Sequence, residues 1–252
     1  MKVRRFRVPT LANVDAGAEL TLPEDQARHA RVLRLVAGTE VELFDTQGWT
    51  ARGELLEAAA GTVRLRSRQQ KTQARTRLRL AVPWPKGKRA AMLVEKCTEL
   101  EVDELIPLRA ERSVVSKDSE SEGVGRLRRI ADEAAKQSGR PDVPSISTEH
   151  ALADVIKGLK DNTCAFVLDP SAEIWITSAL EESFDATRHT DVLLLVGPEG
   201  GFSDREMQLL EGHGIRGIRV ASHVLRVETA ALAGCAVTRA FLYSKGAESA
   251  PS

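Results

Sequence analysis

A loop rich in glycine is the first stretch of this chain whose residue types could support chemistry. Gly197-Pro198-Glu199-Gly200-Gly201 follows the uninterrupted apolar run Val192–Val196. Glycine permits positive φ angles and lets another molecule approach the main chain closely. The loop matches neither the dinucleotide-binding pattern G-x-G-x-x-G nor the phosphate-binding pattern G-x-x-x-x-G-K-[ST]. It is therefore either a tight strand-to-helix turn or a loop that binds a ligand through main-chain groups.

A second candidate is the charged segment Leu225-Arg226-Val227-Glu228-Thr229-Ala230, which precedes a long apolar stretch. Arg226 and Glu228 are costly near a buried helix start unless they are paired or contact a ligand. One interpretation is structural, with a local ion pair and with Glu228 favourable at a helix N-terminus. The other interpretation is that both side chains face a ligand, and the residues alone leave both open.

Strands and helices alternate from residue 76 onward, and this alternation positions the two segments. Val192–Val196 is short and wholly apolar, as in parallel strands that are buried on both faces. Ser203-Asp204-Arg205-Glu206 fits a capping box, so a helix is predicted to begin after the glycine loop. Open α/β folds bind ligands at the carboxyl ends of parallel strands. The pattern thus predicts an α/β domain with a mostly parallel sheet over residues 76–246.

Apolar patterning gives the other elements of this domain. Further strands are predicted at 78–82, 104–108, 164–168 and 215–221, and helices at 89–100, 124–138, 204–212 and 229–243. The charged and glycine-containing stretch 116–125 is predicted to be a mobile loop.

The first 72 residues show the period-two alternation of short strands, which predicts a small β-barrel. Val41–Asp45 and Trp49–Leu55 are predicted to pair as a hairpin, and Glu24–Leu33 to form a short helix. The predicted strand Thr62–Arg68 places three arginines on one face. That face is either a solvated edge that discourages strand addition or a wall for phosphate groups.

Composition narrows the class of protein. The chain has 252 residues, of which 42% are hydrophobic and 29% charged, as in globular proteins. The sequence contains neither an apolar run of membrane-spanning length nor a signal-peptide pattern. Three widely spaced cysteines fit a reducing compartment and indicate no metal site. Residues 1–80 hold 15 basic and 9 acidic residues, a net charge of +6, which indicates either a polyanion partner or ordinary surface bias.

Together, the glycine loop and the Leu225–Ala230 segment resemble the ribosomal RNA small subunit methyltransferase E family, which belongs to the SPOUT, or trefoil-knotted, methyltransferases. Further matches occur in the same order along the chain: Arg5-Phe6, His29 with Val32–Arg34, Lys96–Leu100, Ile106-Pro107, Glu111–Ser113 and Glu133–Arg140. Two positions depart from the pattern. Glu101 stands where the family usually has glycine, and Ala221-Ser222-His223 replaces a run similar to Leu-Gly-Pro.

The resemblance implies a PUA-like RNA-binding β-barrel at residues 1–72 and a trefoil-knot methyltransferase domain with a mostly parallel sheet at residues 76–246. It implies S-adenosyl-L-methionine as the cofactor, and a cytoplasmic homodimer in which the partner chain completes each site. Neither a metal nor a membrane is expected. The implied reaction is methylation of N3 of one uridine in the 16S RNA of the small ribosomal subunit.

Individual residues are expected to have separate roles in this reaction. Arg226 is expected to stabilise negative charge that develops on O2 or O4 of the uracil. Glu228 is a candidate general base, although it could equally pair with Arg226. The implied cofactor-binding residues, acting mostly through their main chain, are Leu168, Leu195, Val196, Gly197, Glu199, Gly200, Gly201, Val220, Ala221, Ser222 and Leu225. The expected contacts to RNA phosphates are Arg4, Arg5, Arg7, Arg34, Lys86, Lys88 and Arg140.

Three other functions compete with this one. The first is another SPOUT RNA methyltransferase, acting on a transfer RNA base or on a ribose 2′-hydroxyl. The second is a non-catalytic RNA-binding factor for ribosome assembly, against which the intact glycine loop argues. The third is an ordinary Rossmann-type nucleotide-binding protein, which lacks support because no dinucleotide fingerprint lies near the first strand of the domain.

Overall fold

The structure is a computed structural model that describes residues 3–45, 49–70, 75–85, 87–113, 120–140 and 142–245. The chain divides into two compact units. The first comprises Met1–Thr72 and Ala135–Val143, and the second comprises Gln73–Ala134 and Pro144–Ser252. The predicted hairpin turn at 46–48 lies outside the described residues.

The first unit is built on a curled five-stranded sheet. Its elements are β1 (Arg4–Arg7), β2 (Glu19–Thr21), α1 (Glu24–Val32), β3 (Glu40–Phe44), β4 (Trp49–Glu57) and β5 (Thr62–Gln70). The strand order is β1-β3-β4-β5-β2, with β1 parallel to β3 and the other neighbours antiparallel. The predicted hairpin, the short helix and the barrel-like sheet are confirmed.

Alternation of apolar side chains gives this sheet its core. Phe6, Leu43, Leu55 and Val63 are each at most 1% exposed and pack in one cluster. The pairing of β4 with β5 shifts register beside Gly53, where a Cβ atom would lie only 2.7 Å from Cγ1 of Val63. Glycine is therefore the residue that lets β4 and β5 approach each other at this bulge.

The second unit is an α/β domain. Its strands are β6 (Arg77–Val82), β7 (Glu104–Arg109), β8 (Ser145–Ile146), β9 (His150–Ala151), β10 (Thr163–Leu168), β11 (Asp191–Val196) and β12 (Arg216–Ile218). Its helices are α2 (Lys88–Glu99), α3 (Glu120–Ser138), α4 (Leu152–Lys157), α5 (Ile176–Ser183), α6 (Asp204–Gly212) and α7 (Val227–Ser244). The end of α3, from Ala135 onward, is assigned to the first unit. The main sheet has the order β12-β10-β11-β6-β7-β8, and β9 pairs with β7. Every strand pair in this unit is parallel, as predicted.

The centre of this sheet is buried on both faces. All six residues of β11 are buried, which confirms the interpretation of its unbroken apolar run. Helix α7 packs closely on the sheet at Gly234, where a Cβ atom would lie 2.9 Å from Cδ1 of Leu168 and 3.2 Å from Cδ1 of Leu194. A larger residue at position 234 would thus collide with the side chains beneath the helix.

The turn between α2 and β7 carries an unusual backbone conformation. Glu101 has a φ of 59°, a left-handed conformation that side chains disfavour. Its N–H donates to the carbonyl of Thr98, and the N–H of Val102 donates to that of Cys97, which is the Schellman pattern of a helix end. Glycine usually occupies this position of the motif. The departure from the family pattern at Glu101 therefore has a conformational cost.

The Glu101 carboxylate takes part in a hydrogen-bond network at the same turn. Oε2 of Glu101 accepts from Nη1 of Arg75 at 2.9 Å and from the Tyr243 hydroxyl at 2.8 Å. Arg239, on α7, donates to the main-chain carbonyl of Glu101 at 2.5 Å and to Oδ2 of Asp103 at 3.0 Å. The network ties the α2–β7 turn to the last turns of α7.

Two predicted elements are wrong in their extent. The strand predicted at 215–221 covers only Arg216–Ile218, because the chain bends from residue 220 onward. The helix predicted from residue 124 begins at Glu120, inside the stretch predicted to be a mobile loop. Residues 116–119 of that predicted loop lie outside the described residues. Within the described ranges, no helix has the length and apolarity to cross a membrane.

Candidate active site

Three loops meet at the carboxyl edge of the main sheet. β10 lies between β11 and β12, and Leu168 pairs with both Val196 and Ile218. All three strands are parallel, so the loops that follow them start side by side. The N–H of Asp169 donates to the carbonyl of Ile218 at 2.9 Å, which joins the first loop to the end of β12. The structure therefore brings together the three segments predicted to bind the cofactor.

The middle loop is a tight turn around Gly197–Gly201. The N–H of Gly201 donates to the carbonyl of Pro198 at 2.8 Å, and Gly201 has a φ of 67°. At Gly197, a Cβ atom would lie 3.2 Å from the ring of Phe202. Pro198 is buried, whereas Glu199 and Gly200 are exposed. The glycines permit a compact turn that presents main-chain groups at the surface.

A capping box starts the helix after this turn. The Ser203 hydroxyl accepts from the N–H of Glu206 at 3.2 Å, and Oε2 of Glu206 accepts from the N–H of Ser203 at 2.9 Å. The predicted capping box is confirmed. The other oxygen of Glu206 accepts from the N–H of Glu111 at 2.9 Å, so one buried carboxylate also binds the loop after β7.

The first loop is closed by its own side chains. Oδ1 of Asp169 accepts from the N–H and the hydroxyl of Ser171, at 2.8 and 2.7 Å. At the far end of this loop, Trp175 forms a β-bridge with Arg219, whose guanidinium lies 4.4 Å from the tryptophan ring centroid. These contacts hold the first loop against the chain that leaves β12.

The third loop runs from Val220 to Leu225. Val220, Ala221 and Leu225 are half-buried, whereas Ser222 is exposed. The segment has no regular secondary structure, so its main-chain groups are not consumed by a ladder. The predicted cofactor-binding residues at the ends of β10 and β11 are less accessible than those of the third loop. Leu168, Leu195 and Val196 are buried, so their side chains belong to the core.

Arg226 and Glu228 lie at the start of α7 in contrasting environments. Arg226 is the exposed N-cap residue, and no side chain caps this helix end. Glu228 is 5% exposed, and its Oε1 lies 3.7 Å from Nη1 of Arg89 on α2. Among the described residues, Oε2 of Glu228 has no hydrogen-bond partner. The ion pair of Glu228 is thus made with Arg89 and not with its neighbour Arg226, a connection that local sequence reasoning missed.

The predicted phosphate-binding residues of the first unit differ in exposure. Arg4 and Arg34 are exposed. The side chain of Arg5 is 15% exposed and lies 3.0 Å from Oε1 of Glu42. Arg7 is half-buried on β1. Arg140 is buried and donates to Oδ1 of Asp142 at 2.7 Å.

In the second unit, Lys88 is exposed at the start of α2, and Lys86 lies outside the described residues. The seven phosphate contacts remain predictions, and among those within the described residues Arg4, Arg34 and Lys88 are exposed. Within the described part of the chain, no cluster of three His, Cys, Asp or Glu side chains could hold a metal ion.

The arginine face of β5 has partners of its own. Arg64 pairs with Glu19, Arg66 pairs with Glu40 and Glu54, and Arg68 stacks on Trp49. The acids offset the positive charge of this face, which favours a solvated face over a wall for phosphate groups. Because β5 lies between β4 and β2, the prediction that this strand forms a sheet edge is wrong.

Comparison with models of known sequence families shows the class of protein to which this chain belongs. The model of the RNA methyltransferase domain family matches residues 72–239, and that of the RNA methyltransferase PUA domain matches residues 22–66. Because the first match covers more than half of the chain, this protein belongs to the RNA methyltransferase family.

Two named relatives show which RNA methyltransferases this chain is similar to. The chain is 27% identical over 240 residues to "Ribosomal RNA small subunit methyltransferase E" of Bacillus subtilis (strain 168), covering 91% of this chain and 93% of the relative. The protein of the same name from Mycobacterium bovis is 28% identical over 233 residues, covering 90% and 87%. Both relatives carry the name of the family that the sequence resembles.

Solved structures agree on the fold. A putative methyltransferase from Legionella pneumophila, in complex with the bound cofactor SAM, is 27% identical and has a TM-score of 0.78, with 96% of this chain and 98% of that chain covered. A ribosomal RNA small subunit methyltransferase E from Neisseria gonorrhoeae, bound to S-adenosyl methionine, is 23% identical with a TM-score of 0.82 and covers 95% and 98%. The predicted fold class, an α/β domain with a mostly parallel sheet together with a PUA-like N-terminal domain, is confirmed. The predicted cofactor is the one bound in both neighbours.

Proposed function

We propose that this protein uses S-adenosyl-L-methionine to methylate N3 of a uridine in the 16S RNA of the small ribosomal subunit. The observation that carries the proposal is the meeting of three irregular loops beside the uncapped start of α7, where Arg226 and Glu228 lie. The names of the full-length relatives supply the class of RNA. The proposal includes a PUA-like domain at residues 1–72, a methyltransferase domain at 76–246 and a cytoplasmic location.

The loops have the chemistry that the cofactor requires. Adenosine and amino-acid groups are recognised by donors and acceptors, which the main chain of Gly197–Gly201 and Val220–Leu225 can supply at close range. Leu168, Leu195 and Val196 form the apolar floor below these loops. When bound, the cofactor supplies a sulfonium-activated methyl group, so the protein needs no metal to activate the donor.

The protein's own residues must prepare the nucleophile. N3 of uridine carries a proton and lies on the Watson–Crick edge, so the base has to be unpaired and turned outward before it reacts. Arg226 is exposed and can reach O2 or O4 of such a base, where it stabilises the negative charge of the forming imide anion. Glu228 is the candidate acceptor of the N3 proton, since one of its oxygens has no protein partner in the described part of the chain.

The nature of the modified nucleoside tests the reaction. Purified protein is incubated with labelled S-adenosyl-L-methionine and small subunits from a strain that lacks the gene, and the RNA is digested for mass spectrometry. We expect one new 3-methyluridine. A methylated nucleotide whose 3′ phosphodiester linkage resists alkaline cleavage would identify ribose methylation instead. Methylation of transfer RNA alone would overturn the ribosomal assignment.

Replacement of Arg226 tests whether this residue acts in catalysis and not in cofactor binding. Arg226→Ala should lower kcat about a hundredfold, the usual effect of removing one donor to a developing oxyanion. The Kd for S-adenosyl-L-methionine, measured by calorimetry, should stay within about twofold of wild type. Arg188→Ala removes an exposed arginine outside the three loops and serves as the control. An equal loss of cofactor affinity in Arg226→Ala would contradict the catalytic role.

The homodimer is part of the same proposal. Helices α2 and α7 form a mainly apolar surface groove lined by residues that include Met92, Leu232 and Ala236. Met92 is 38% exposed, which is high for a large apolar side chain. A second copy of the chain is the proposed occupant, because the homodimer expected for this family needs an apolar contact surface.

A charge placed in this groove tests the dimer. Ala236→Arg should shift the sedimentation coefficient from that of a dimer to that of a monomer and abolish methyl transfer. Thr177→Arg, at an exposed position of α5, should remain dimeric and active. If wild type sediments as a monomer while it is active, the dimer proposal is wrong.

A further inference from the structure

The loop after β7 is a rigid turn beside the cofactor loops. The N–H of Ser113 donates to the carbonyl of Ala110 at 3.0 Å, and the N–H of Ala110 donates to the Ser113 hydroxyl at 3.0 Å. These reciprocal bonds fix the two residues between them, Glu111 and Arg112. None of the four residues belongs to the three loops assigned to the cofactor.

This turn contacts both the glycine loop and the helix α6 that follows it. In one contact, the N–H of Glu111 donates to the buried carboxylate of Glu206. In the other, Nη1 of Arg112 donates to the carbonyl of Gly200 at 3.0 Å and lies 3.4 Å from the carbonyl of Phe202. The side chain of Arg112 also lies against Gly200, since a Cβ atom there would be 3.5 Å from Cβ of Arg112.

The Arg112 contact acts where the chain is least constrained. Glycine loses more conformational freedom on ordering than any other residue, so a glycine turn needs outside contacts to hold one shape. Only one main-chain bond within the described turn, from Gly201 to Pro198, closes the segment itself. The Arg112 guanidinium, which binds the carbonyls of Gly200 and Phe202, supplies such a constraint. A loop ordered in advance binds its ligand more tightly.

We propose that Arg112 is a positioning residue that holds the Gly197–Gly201 loop in the shape that binds S-adenosyl-L-methionine. This inference rests on the proposed function. Arg112 acts through the carbonyls of Gly200 and Phe202 and has no part in the transfer of the methyl group itself. Its loss should therefore weaken cofactor binding and leave the chemical step intact.

Calorimetric titration with S-adenosyl-L-methionine tests this role without RNA. Arg112→Ala should raise the Kd about five- to tenfold, the range expected when hydrogen bonds from an exposed charged donor are lost. In the methylation assay, KM for the cofactor should rise by the same factor, while kcat at saturating cofactor stays within about twofold of wild type. Arg112→Lys, which keeps one donor, should restore part of the affinity.

Arg109→Ala is the matched control. Arg109 is an exposed arginine three residues earlier, at the end of β7, and lies 3.5 Å from Glu149. Its replacement should leave both Kd and KM unchanged. Thermal unfolding of each variant verifies that the fold is intact.

The outcomes separate this inference from the proposed function. If wild type binds no S-adenosyl-L-methionine, the proposed function fails. If wild type binds it and Arg112→Ala binds equally well, the positioning role fails while the proposed function stands. A fall in kcat with an unchanged Kd would also overturn the positioning role, because it would place Arg112 in the chemical step or in RNA binding.

Discussion

Replacing Glu101 by glycine should destabilise the protein, although glycine suits the backbone at this position. Glu101→Gly relieves a left-handed conformation at φ 59°. It also removes the carboxylate that accepts from Arg75 and Tyr243. The sign of the effect depends on which contribution is larger.

The magnitudes favour the carboxylate. Left-handed backbone costs a non-glycine residue about 1–2 kcal/mol. Hydrogen bonds to charged groups contribute about 1.5–3 kcal/mol each. The Glu101 side chain is 27% exposed and that of Arg75 is 13%, so solvent screens the pair only partly. Because of this screening each bond is taken at the lower end of its range, so two bonds contribute about 3 kcal/mol, and about 1 kcal/mol of relieved strain leaves a net destabilisation of about 2 kcal/mol for Glu101→Gly.

Urea unfolding of three proteins separates the two contributions. Glu101→Ala loses the same bonds as Glu101→Gly but keeps the strained backbone, so it should be less stable than Glu101→Gly by about 1 kcal/mol. Wild type should be the most stable of the three. If Glu101→Gly matched or exceeded wild type, the network around Arg75 would contribute less than the strain, and the reasoning would be refuted.

Two further predictions concern α7. Gly234→Ala should lower the free energy of unfolding in urea by about 1–3 kcal/mol, because the added methyl group collides with Leu168 and Leu194. It should also raise the Kd for the cofactor, since Leu168 leads into the first loop. An unchanged stability would show that the two leucine side chains move aside at no cost. Burial, reinforced by the hydrogen bond to Glu101, raises the pKa of Tyr243 from its ordinary 10.0 to about 12. The folded state therefore disfavours tyrosinate, so this contribution to stability is full below pH 10 and is lost as the pH rises towards about 12. Tyr243 is the single tyrosine of the chain, so tyrosinate absorbance in a pH titration reports it directly, and a midpoint near 10 in the folded protein would contradict the prediction.

Local patterns in the sequence predicted local structure well. The spacing of Ser203 and Glu206 predicted a helix start, and the structure has both bonds of the capping box. The unbroken apolar run of β11 predicted a strand buried on both faces. Such features depend on residues within a few positions of each other, whose geometry the backbone period determines.

Long-range partners were not predictable in the same way. Sequence proximity suggested Arg226 as the partner of Glu228, but the ion pair is made with Arg89 on another helix. The second oxygen of Glu206 binds a main-chain N–H that lies 95 residues earlier. Such pairs arise from the order of strands in the sheet, which no short-range pattern encodes. Glu101 could be singled out only as a departure from glycine, and the backbone angle supplies its meaning.

Because the Glu206 carboxylate binds two segments, the amide of Glu111 can report on the stability of the α6 N-terminus. The amide of Glu111 donates to the same side chain that caps α6, so it stays shielded from solvent only while that cap is closed. Its rate of hydrogen exchange thus measures how often the first turn of the helix frays. A ligand that orders the glycine loop and the first turn of α6 would therefore slow hydrogen exchange at the amide of Glu111. Ligand binding could thus be detected at a residue in the loop after a different strand.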